Sequence, residues 1–141
     1  GIDDATAYAE LVSLFGAPDA NTGWYLDACD GYDWLKATWD GFTAIFTDRD
    51  GSRQFDGWHV DDVTDLPDWL YFEYGLGPNT TWQYLQSIGA GWEPAYGGVW
   101  YQNTIGYNTG RLAPNPPYPN DPTNAAKLTS FGTGTGAFVS C

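Results

Sequence analysis

The sequence predicts an α+β fold in which two short helices pack on an antiparallel sheet. Two segments, within 3–19 and 77–93, carry apolar residues at helical spacing, and aromatic and β-branched residues alternate from Trp24 to Val60. Aligning "LFGAPD" at 14–19 with "SIGAGW" at 87–92 sets the two helical segments 73 residues apart. We therefore expect a single domain over 1–141, with approximate tandem repeats 1–68 and 69–141.

The first helix is predicted within "DDATAYAELVSLFGAPD". Asp3 or Asp4 is suited to cap its first amides, and Gly16 followed by Pro18 is suited to end it. Four apolar residues recur at i, i+3, i+4 and i+7, namely Tyr8, Leu11, Val12 and Phe15. This stripe indicates that the helix lies on a flat apolar surface.

An antiparallel meander is predicted after this helix. Its strands are expected at 24–28, 34–39, 42–47 and 53–60. "DG" at 40–41 joins the second strand to the third, and "DRDGS" at 48–52 joins the third to the fourth. Asp-Gly between alternating apolar runs is the usual signature of a hairpin.

The second half repeats the plan, with a helix predicted within "GPNTTWQYLQSIGAGWE". Asn79 or Thr80 is the expected cap, and Trp82, Leu85 and Ile88 share one face. "RLAPNPPYPNDPTNAAK" contains five prolines, which favour an extended polyproline arm. "KLTSFGTGTGAFVSC" then suggests a returning strand pair with a Gly-rich turn and the last cysteine on its final strand.

The net charge of the chain disfavours anionic partners, and most of the acidic residues lie in its first half. The chain has 18 acidic and 5 basic side chains, a net charge of -13, which would repel nucleic acid and anionic membranes. Residues 1–68 hold fifteen of the acids and only three of the basic residues, so any charge-based recognition is expected in the first half. A solubilising surface, or adaptation to a salty habitat, explains the same excess.

The sequence favours a secreted, extracellular protein without membrane insertion. It has no run of about 18 apolar residues, and a start at Gly1 without any Met suits a product whose leader has been removed or a trimmed piece of a longer chain. Cys29 and Cys141 lie outside any CxxC or histidine pattern, so zinc is excluded and a disulfide between them is expected. Two free buried thiols are the alternative.

No constellation in the sequence predicts catalysis or a cofactor. Placing Asp48 and Asp50 at positions 3 and 5 of a calcium loop leaves Phe46 and Gly57 where ligands are required, so a hairpin is favoured over a shallow calcium site. His59 is the only histidine, and with fifteen aspartates any acid pair could be proposed for a glycosidase. We expect a protein that is not an enzyme.

The excess of aromatic residues points to binding. Eight Trp and ten Tyr exceed what a core of this size needs, and both residues are enriched at interfaces. The predicted binding residues end the meander or follow the second helix: Trp58, Trp92, Trp100 and Tyr101. Large aromatics that fill a core poor in Leu and Ile are the competing explanation.

The motifs occur in the order "FGAPD" after a helix, a cysteine strand, a meander ending "FDGWHV", and "GLGPNTTWQYLQSIGAGW". This order resembles the β-lactamase inhibitory protein superfamily of secreted actinobacterial proteins. The resemblance implies an extracellular binding domain whose concave sheet face and loops grip a protein. The inhibitors carry a disulfide within each repeat, whereas this chain has one cysteine in each half and a proline-rich insertion, and no contact residue is carried over.

The expected function is therefore a non-catalytic extracellular module that binds or inhibits a protein partner. A carbohydrate-binding module would use the same aromatics as stacking platforms. A self-assembling surface or filament subunit would use the proline arm and the sheet edges.

Overall fold

The structure, a computed structural model, describes residues 4–93, 99–101, 108–114 and 120–137. Helix α1 spans Asp4–Phe15 and helix α2 spans Trp82–Ser87. The described strands are β1 (Ala20–Asn21), β2 (Tyr25–Leu26), β3 (Asp33–Trp39), β4 (Phe42–Arg49), β5 (Ser52–Val60), β6 (Gly91–Glu93), β7 (Val99–Tyr101), β8 (Asn108–Ala113) and β9 (Lys127–Gly134). Short 3₁₀ helices lie at Val63–Asp65, Glu73–Gly75 and Thr135–Ala137.

The antiparallel sheet expected from the sequence is confirmed, and it dominates the fold. Strands β3, β4 and β5 form the predicted meander, joined by Asp-Gly turns of two residues. In the second turn Asp50 has φ 56° and Gly51 φ 85°, the pair of positive values that a type I′ turn requires. The stretch 48–52 is thus a hairpin.

Helix α1 packs on the sheet through the predicted stripe. Leu11 is buried, and Tyr8 lies with its ring centroid 6.3 Å from that of Trp39. Gly16 ends the helix with φ 80°, and its N–H donates to the Val12 carbonyl at 2.8 Å. A left-handed residue after the last turn is the usual helix end, and glycine adopts it without a Cβ clash.

Helix α2 buries Trp82 and Leu85 as predicted, but its cap is Thr81 rather than Asn79 or Thr80. The Thr81 hydroxyl accepts from the Tyr84 N–H at 3.2 Å. Thr80 is not available for this role, because its hydroxyl accepts from the Gly77 N–H and donates to a carbonyl. Three consecutive polar residues left the cap position undetermined in the sequence.

The strand order is symmetrical about the central β5–β9 pair. From β5 the sheet continues through β4 and β3 to β1, and from β9 through β8 and β7 to β6, while β2 also pairs with β3. Each of β1 and β6 follows a helix in the chain, α1 or α2. The two halves therefore present their elements in the same order.

The strand registers follow the same symmetry. The β4–β5 pairing shifts by skipping Asp56, and the β8–β9 pairing shifts by skipping Thr129. These two residue numbers differ by 73, as do those of His59 and Gly132, which pair with each other at the centre of the sheet. The same offset aligns the two helical segments in the sequence.

One aromatic core lies between the sheet and the helices. Trp58 is 5% exposed, with ring centroids 5.9 Å from Phe42, 4.7 Å from Phe55 and 4.9 Å from Phe72. Edge-to-face and tilted contacts of this kind add to the free energy of burial. Much of the aromatic excess is therefore core.

Glycines allow the chain to cross the sheet directly after β9. A Cβ on Gly136 would overlap the carbonyl oxygen of Trp58, and one on Gly132 would overlap that of Gly136. A Cβ on Gly57 or Gly134 would lie 2.1 Å from a carbonyl oxygen, which is also too close. The Gly-rich turn expected within "FGTGTGAF" is thus the end of β9 followed by a 3₁₀ helix pressed against β5.

Two expectations fall partly outside the described residues. The proline-rich segment is described at 111–114, where 111–113 belong to β8 and not to a polyproline arm, and again from 120, but not at 115–119. Cys29 lies in the turn before β3, where its N–H donates to Asp27 Oδ1 at 2.8 Å. Cys141 is outside the described part of the chain, so the bridge between the two cysteines stays a prediction.

Candidate functional site

The binding residues proposed from the sequence do not form one exposed group among the described residues. Trp58 belongs to the core, and its position gives no support to a role in contacting a partner. Trp92 is half-buried and packs edge-on against Trp82, with ring centroids 6.2 Å apart. Trp100 pairs with Trp92 across β6 and β7, but the side chains of Trp100 and Tyr101 are outside the described part.

Two of the three acids of the β4–β5 hairpin, Asp48 and Asp56, are engaged with arginines. Asp48 accepts from Arg53 Nε at 3.3 Å, and Asp56 accepts from Thr47 Oγ1 at 2.6 Å and Arg49 Nη2 at 3.1 Å. Among the described residues no group of three or more His, Cys, Asp or Glu is arranged to hold a metal. The partners of these carboxylates support a structural role.

Millimolar calcium is accordingly expected to leave the melting temperature unchanged at matched ionic strength. Asp48 and Asp56 would have to give up their arginine partners to bind the ion, and a specific site would raise the melting temperature by mass action. Differential scanning fluorimetry with calcium and with magnesium measures the effect. A rise of several degrees with calcium alone would contradict the hairpin interpretation.

His59 has an acceptor oxygen near each of its ring nitrogens. Its Nε2 lies 2.7 Å from Asp61 Oδ1, and its Nδ1 lies 3.2 Å from the Gly136 carbonyl oxygen. These contacts join β5 to the glycine crossing after β9. The ring therefore contributes to the packing of that crossing.

A cleft of about 350 Å³ opens where three loops meet. The loops are the segment after α1, the Asp40–Gly41 turn between β3 and β4, and residues 65–70 after β5. The Asp19 N–H donates to the Thr38 carbonyl at 2.8 Å, which ties the first loop to β3. A Cβ on Gly41 would lie 2.8 Å from Leu66 Cδ2, so the second and third loops are in contact. We call this the loop cleft.

The wall of the loop cleft is aromatic and fixed in position. Trp39 and Phe42 are buried and stack at 5.5 Å, and Trp39 Nε1–H donates to the Gly16 carbonyl at 2.9 Å. Phe15 packs edge-on against Phe42 at 5.2 Å. On its outer side Phe15 stacks in parallel with Trp69, which is 67% exposed, at 6.4 Å. The wall thus continues to the surface.

The rim of the loop cleft is acidic. Asp19, Asp40 and Asp65 line it, and each is exposed. None of the three forms an ion pair with a basic side chain in the described part of the chain. The rim therefore carries uncompensated negative charge next to apolar surface.

The 3₁₀ helix that carries Asp65 is capped by Asp62. The Asp62 carboxylate accepts from the Thr64 hydroxyl at 2.7 Å and from the Thr64 N–H at 2.9 Å. These bonds, the hydroxyl first, hold the pKa of Asp62 below its ordinary value. The two bonds contribute to folding stability above the ordinary aspartate pKa, and this contribution is lost as the pH falls through the lowered pKa of Asp62.

Exposed aromatic side chains continue from the loop cleft along the connection between β5 and α2. Trp69, Tyr71, Tyr74 and Tyr84 are all exposed. The Tyr84 hydroxyl donates to the Tyr74 carbonyl at 2.5 Å, which links α2 to the connection. Tyr74 itself has φ 63°, a left-handed conformation that is uncommon for a bulky residue. We call these four residues the aromatic patch.

The predicted binding aromatics lie on strands, and none of them falls in the connection at 66–75 that carries the exposed ones. "DLPDWLYFEYGLG" at 65–77 shows neither helical nor strand periodicity, and its one proline and two glycines mark a loop. Four aromatic residues and two acids within 66–75 were the available signal. Loops of this kind carry binding residues more often than strands that pack on a core.

Comparisons with models of protein families, with curated proteins and with solved structures found no match. No helix in the described residues combines the length and the apolar character that a membrane crossing requires.

Proposed function

We propose that the protein is a non-catalytic extracellular module that binds a protein partner through the aromatic patch and the loop cleft. The observation that carries this proposal is the placement of Trp69, Tyr71, Tyr74 and Tyr84 at the surface, while Trp39 and Trp58 fill the core. Exposed Trp and Tyr beside a cleft are typical of the residues that dominate protein interfaces. Inhibition of a partner enzyme is one form that such binding takes.

The patch supports a protein partner more than a sugar. Trp69 already stacks one face of its indole on Phe15, and the Tyr84 hydroxyl is bonded to the backbone, so these aromatics are held in place rather than standing free. Preorganised side chains lower the entropic penalty of forming an interface. The charge of Asp40 and Asp65 beside the patch adds a feature that a neutral glycan does not use.

The short strands at the edges of the sheet disfavour self-assembly by strand addition. Among the described residues the outer strands are short, with two residues in each of β1 and β2 and three in β6. Very short edge strands offer few free backbone groups to another chain. Self-assembly through the proline-rich segment remains the second candidate.

We further propose that the chain is a tandem repeat, as its resemblance to the β-lactamase inhibitory protein superfamily implies. The symmetrical strand order and the bulges at Asp56 and Thr129, 73 residues apart in number, support this. The resemblance to a secreted family also supports an extracellular location. A protein partner is what that family would imply.

The proposal is tested by capturing partners on parent protein and on a variant in parallel. Immobilised parent and Trp69→Ala protein are exposed to the culture medium of the source organism, and retained proteins are identified by mass spectrometry. A protein retained by the parent and lost on the variant is the expected result, because truncating an exposed aromatic anchor commonly costs about 2 kcal/mol or more of binding free energy. Raising the salt concentration is expected to slow association more than it speeds dissociation.

Leu26→Ala is the matched control, because Leu26 is as exposed as Trp69 but lies on β2, away from the patch. It should retain the same partner as the parent. Equal retention on parent and Trp69→Ala protein, or retention of glycans without protein, would contradict the proposal.

A further inference from the structure

We infer that the loop cleft binds a single arginine side chain presented by the partner, with the guanidinium between the aromatic wall and the acidic rim. The inference rests on the proposed function and names the group that the site recognises. The supporting observation is that two arginines of this chain each lie between an aromatic ring and a carboxylate. The loop cleft offers the same surroundings without an arginine in it.

The two arginines of the first half are each held between an aromatic ring and a carboxylate. Arg49 lies 4.7 Å from the centroid of Tyr32 and pairs with Asp56 at 3.1 Å. Arg53 lies 4.4 Å from the centroid of Trp24 and pairs with Asp48 at 3.3 Å. Stacking and charge pairing act together in both places, because a guanidinium is planar, weakly hydrated and always charged.

The loop cleft is lined by both components, aromatic rings and carboxylates. Phe15, Trp39 and Phe42 form its wall, and Asp19, Asp40 and Asp65 line it with carboxylates that no basic residue of the described chain neutralises. An entering arginine would place its aliphatic stem along the apolar wall and its charge at the rim. Three carboxylates leave room for bidentate pairing with one of them.

The size of the loop cleft fits one side chain. Its volume of about 350 Å³ stands at the lower end of the range of roughly 300–1,000 Å³ in which pockets enclose drug-sized ligands. Lysine would carry the same charge, but its compact, strongly hydrated ammonium gains less from a stacked wall than a guanidinium does. We therefore expect arginine to be preferred.

Short peptides test the inference without the partner. The probe is an acetylated, amidated pentapeptide with one arginine between glycines, compared with peptides in which lysine or citrulline replaces that arginine. Citrulline keeps the planar shape but carries no charge. Two-dimensional NMR of the indole N–H groups follows binding, because Trp39 lines the cleft and Trp69 stacks on its Phe15 wall.

The arginine peptide is expected to shift the Trp39 and Trp69 signals with a dissociation constant on the order of 1 mM, and citrulline to bind about tenfold more weakly. Lysine should fall between the two. Asp40→Asn should weaken arginine binding by roughly two- to fivefold, the usual effect of an exposed charge pair. Asp50→Asn is the matched control, since it removes the same charge from the other Asp-Gly turn of the meander.

Equal shifts with arginine and citrulline, no shifts at about 10 mM peptide, or equal weakening by Asp40→Asn and Asp50→Asn would overturn the inference. These outcomes are independent of partner capture. If arginine binds the loop cleft but no protein is lost on the Trp69→Ala variant, the proposed function falls and the cleft assignment stands. If the partner is lost but peptides do not bind, the inference alone falls.

Discussion

Replacing Gly136 by alanine is expected to destabilise the fold by about 3 kcal/mol or more, the upper part of the range for overpacked sites. The added Cβ would overlap the Trp58 carbonyl oxygen and approach the His59 amide nitrogen, both of which belong to a strand in the middle of the sheet. Backbone atoms bonded to two neighbouring strands have no low-energy way to move aside. Urea denaturation followed by tryptophan fluorescence measures the loss.

Gly51→Ala separates this steric effect from the loss of glycine flexibility. Gly51 has φ 85°, so alanine is strained there, but a Cβ at this position meets nothing within 4 Å. Its expected destabilisation is about 1–2 kcal/mol, the penalty of a left-handed conformation for a residue with a side chain. A Gly136→Ala protein as stable as Gly51→Ala would show that the crossing after β9 is looser than the structure indicates.

Replacing Trp58 by alanine is expected to destabilise the fold by about 3–5 kcal/mol, as is usual when a large buried aromatic is truncated. The ring contacts three phenylalanines, and its removal leaves a cavity in the middle of the core. Thermal and urea unfolding measure the change. Because a variant this unstable can fail to fold, Trp58→Phe is made alongside it.

Trp58→Phe removes a buried indole Nε1 that has no hydrogen-bond partner among the described residues, and it keeps an aromatic ring in the core. It should therefore lose less stability than the alanine variant and keep the parent's partner. Trp69→Ala should show the opposite pattern, with stability close to that of the parent and the partner lost. A Trp58→Phe protein that is stable but no longer binds would restore Trp58 as a binding residue.

Periodicity and turn chemistry predicted the first half of the fold well. The alternation between Trp24 and Val60, with Asp-Gly at 40–41 and 50–51, leaves one reasonable pairing of strands, and the structure has it. The stripe on α1 and its end at Gly16 were equally clear. Local rules suffice where each residue has a neighbour close in sequence that decides its conformation.

The candidate site could not be predicted in the same way. Loop residues 65–70 meet the Asp40–Gly41 turn and the end of α1 only after the sheet and the helix have packed, and no periodicity marks that meeting. Trp58 and Trp69 are the same residue type eleven positions apart, yet one is buried and the other exposed. Whether a tryptophan is buried in the core or exposed to a partner depends on contacts with residues distant in sequence.

The register at the centre of the sheet has a consequence for how the two halves hold together. His59 and Gly132, 73 positions apart, face each other in the β5–β9 pairing. If the two halves are repeats, as we propose, this is the arrangement of an isologous interface between two subunits. Here the connection through 61–126 joins the two sides covalently. Association that would depend on concentration in a dimer is intramolecular in this chain, and dilution cannot separate its halves.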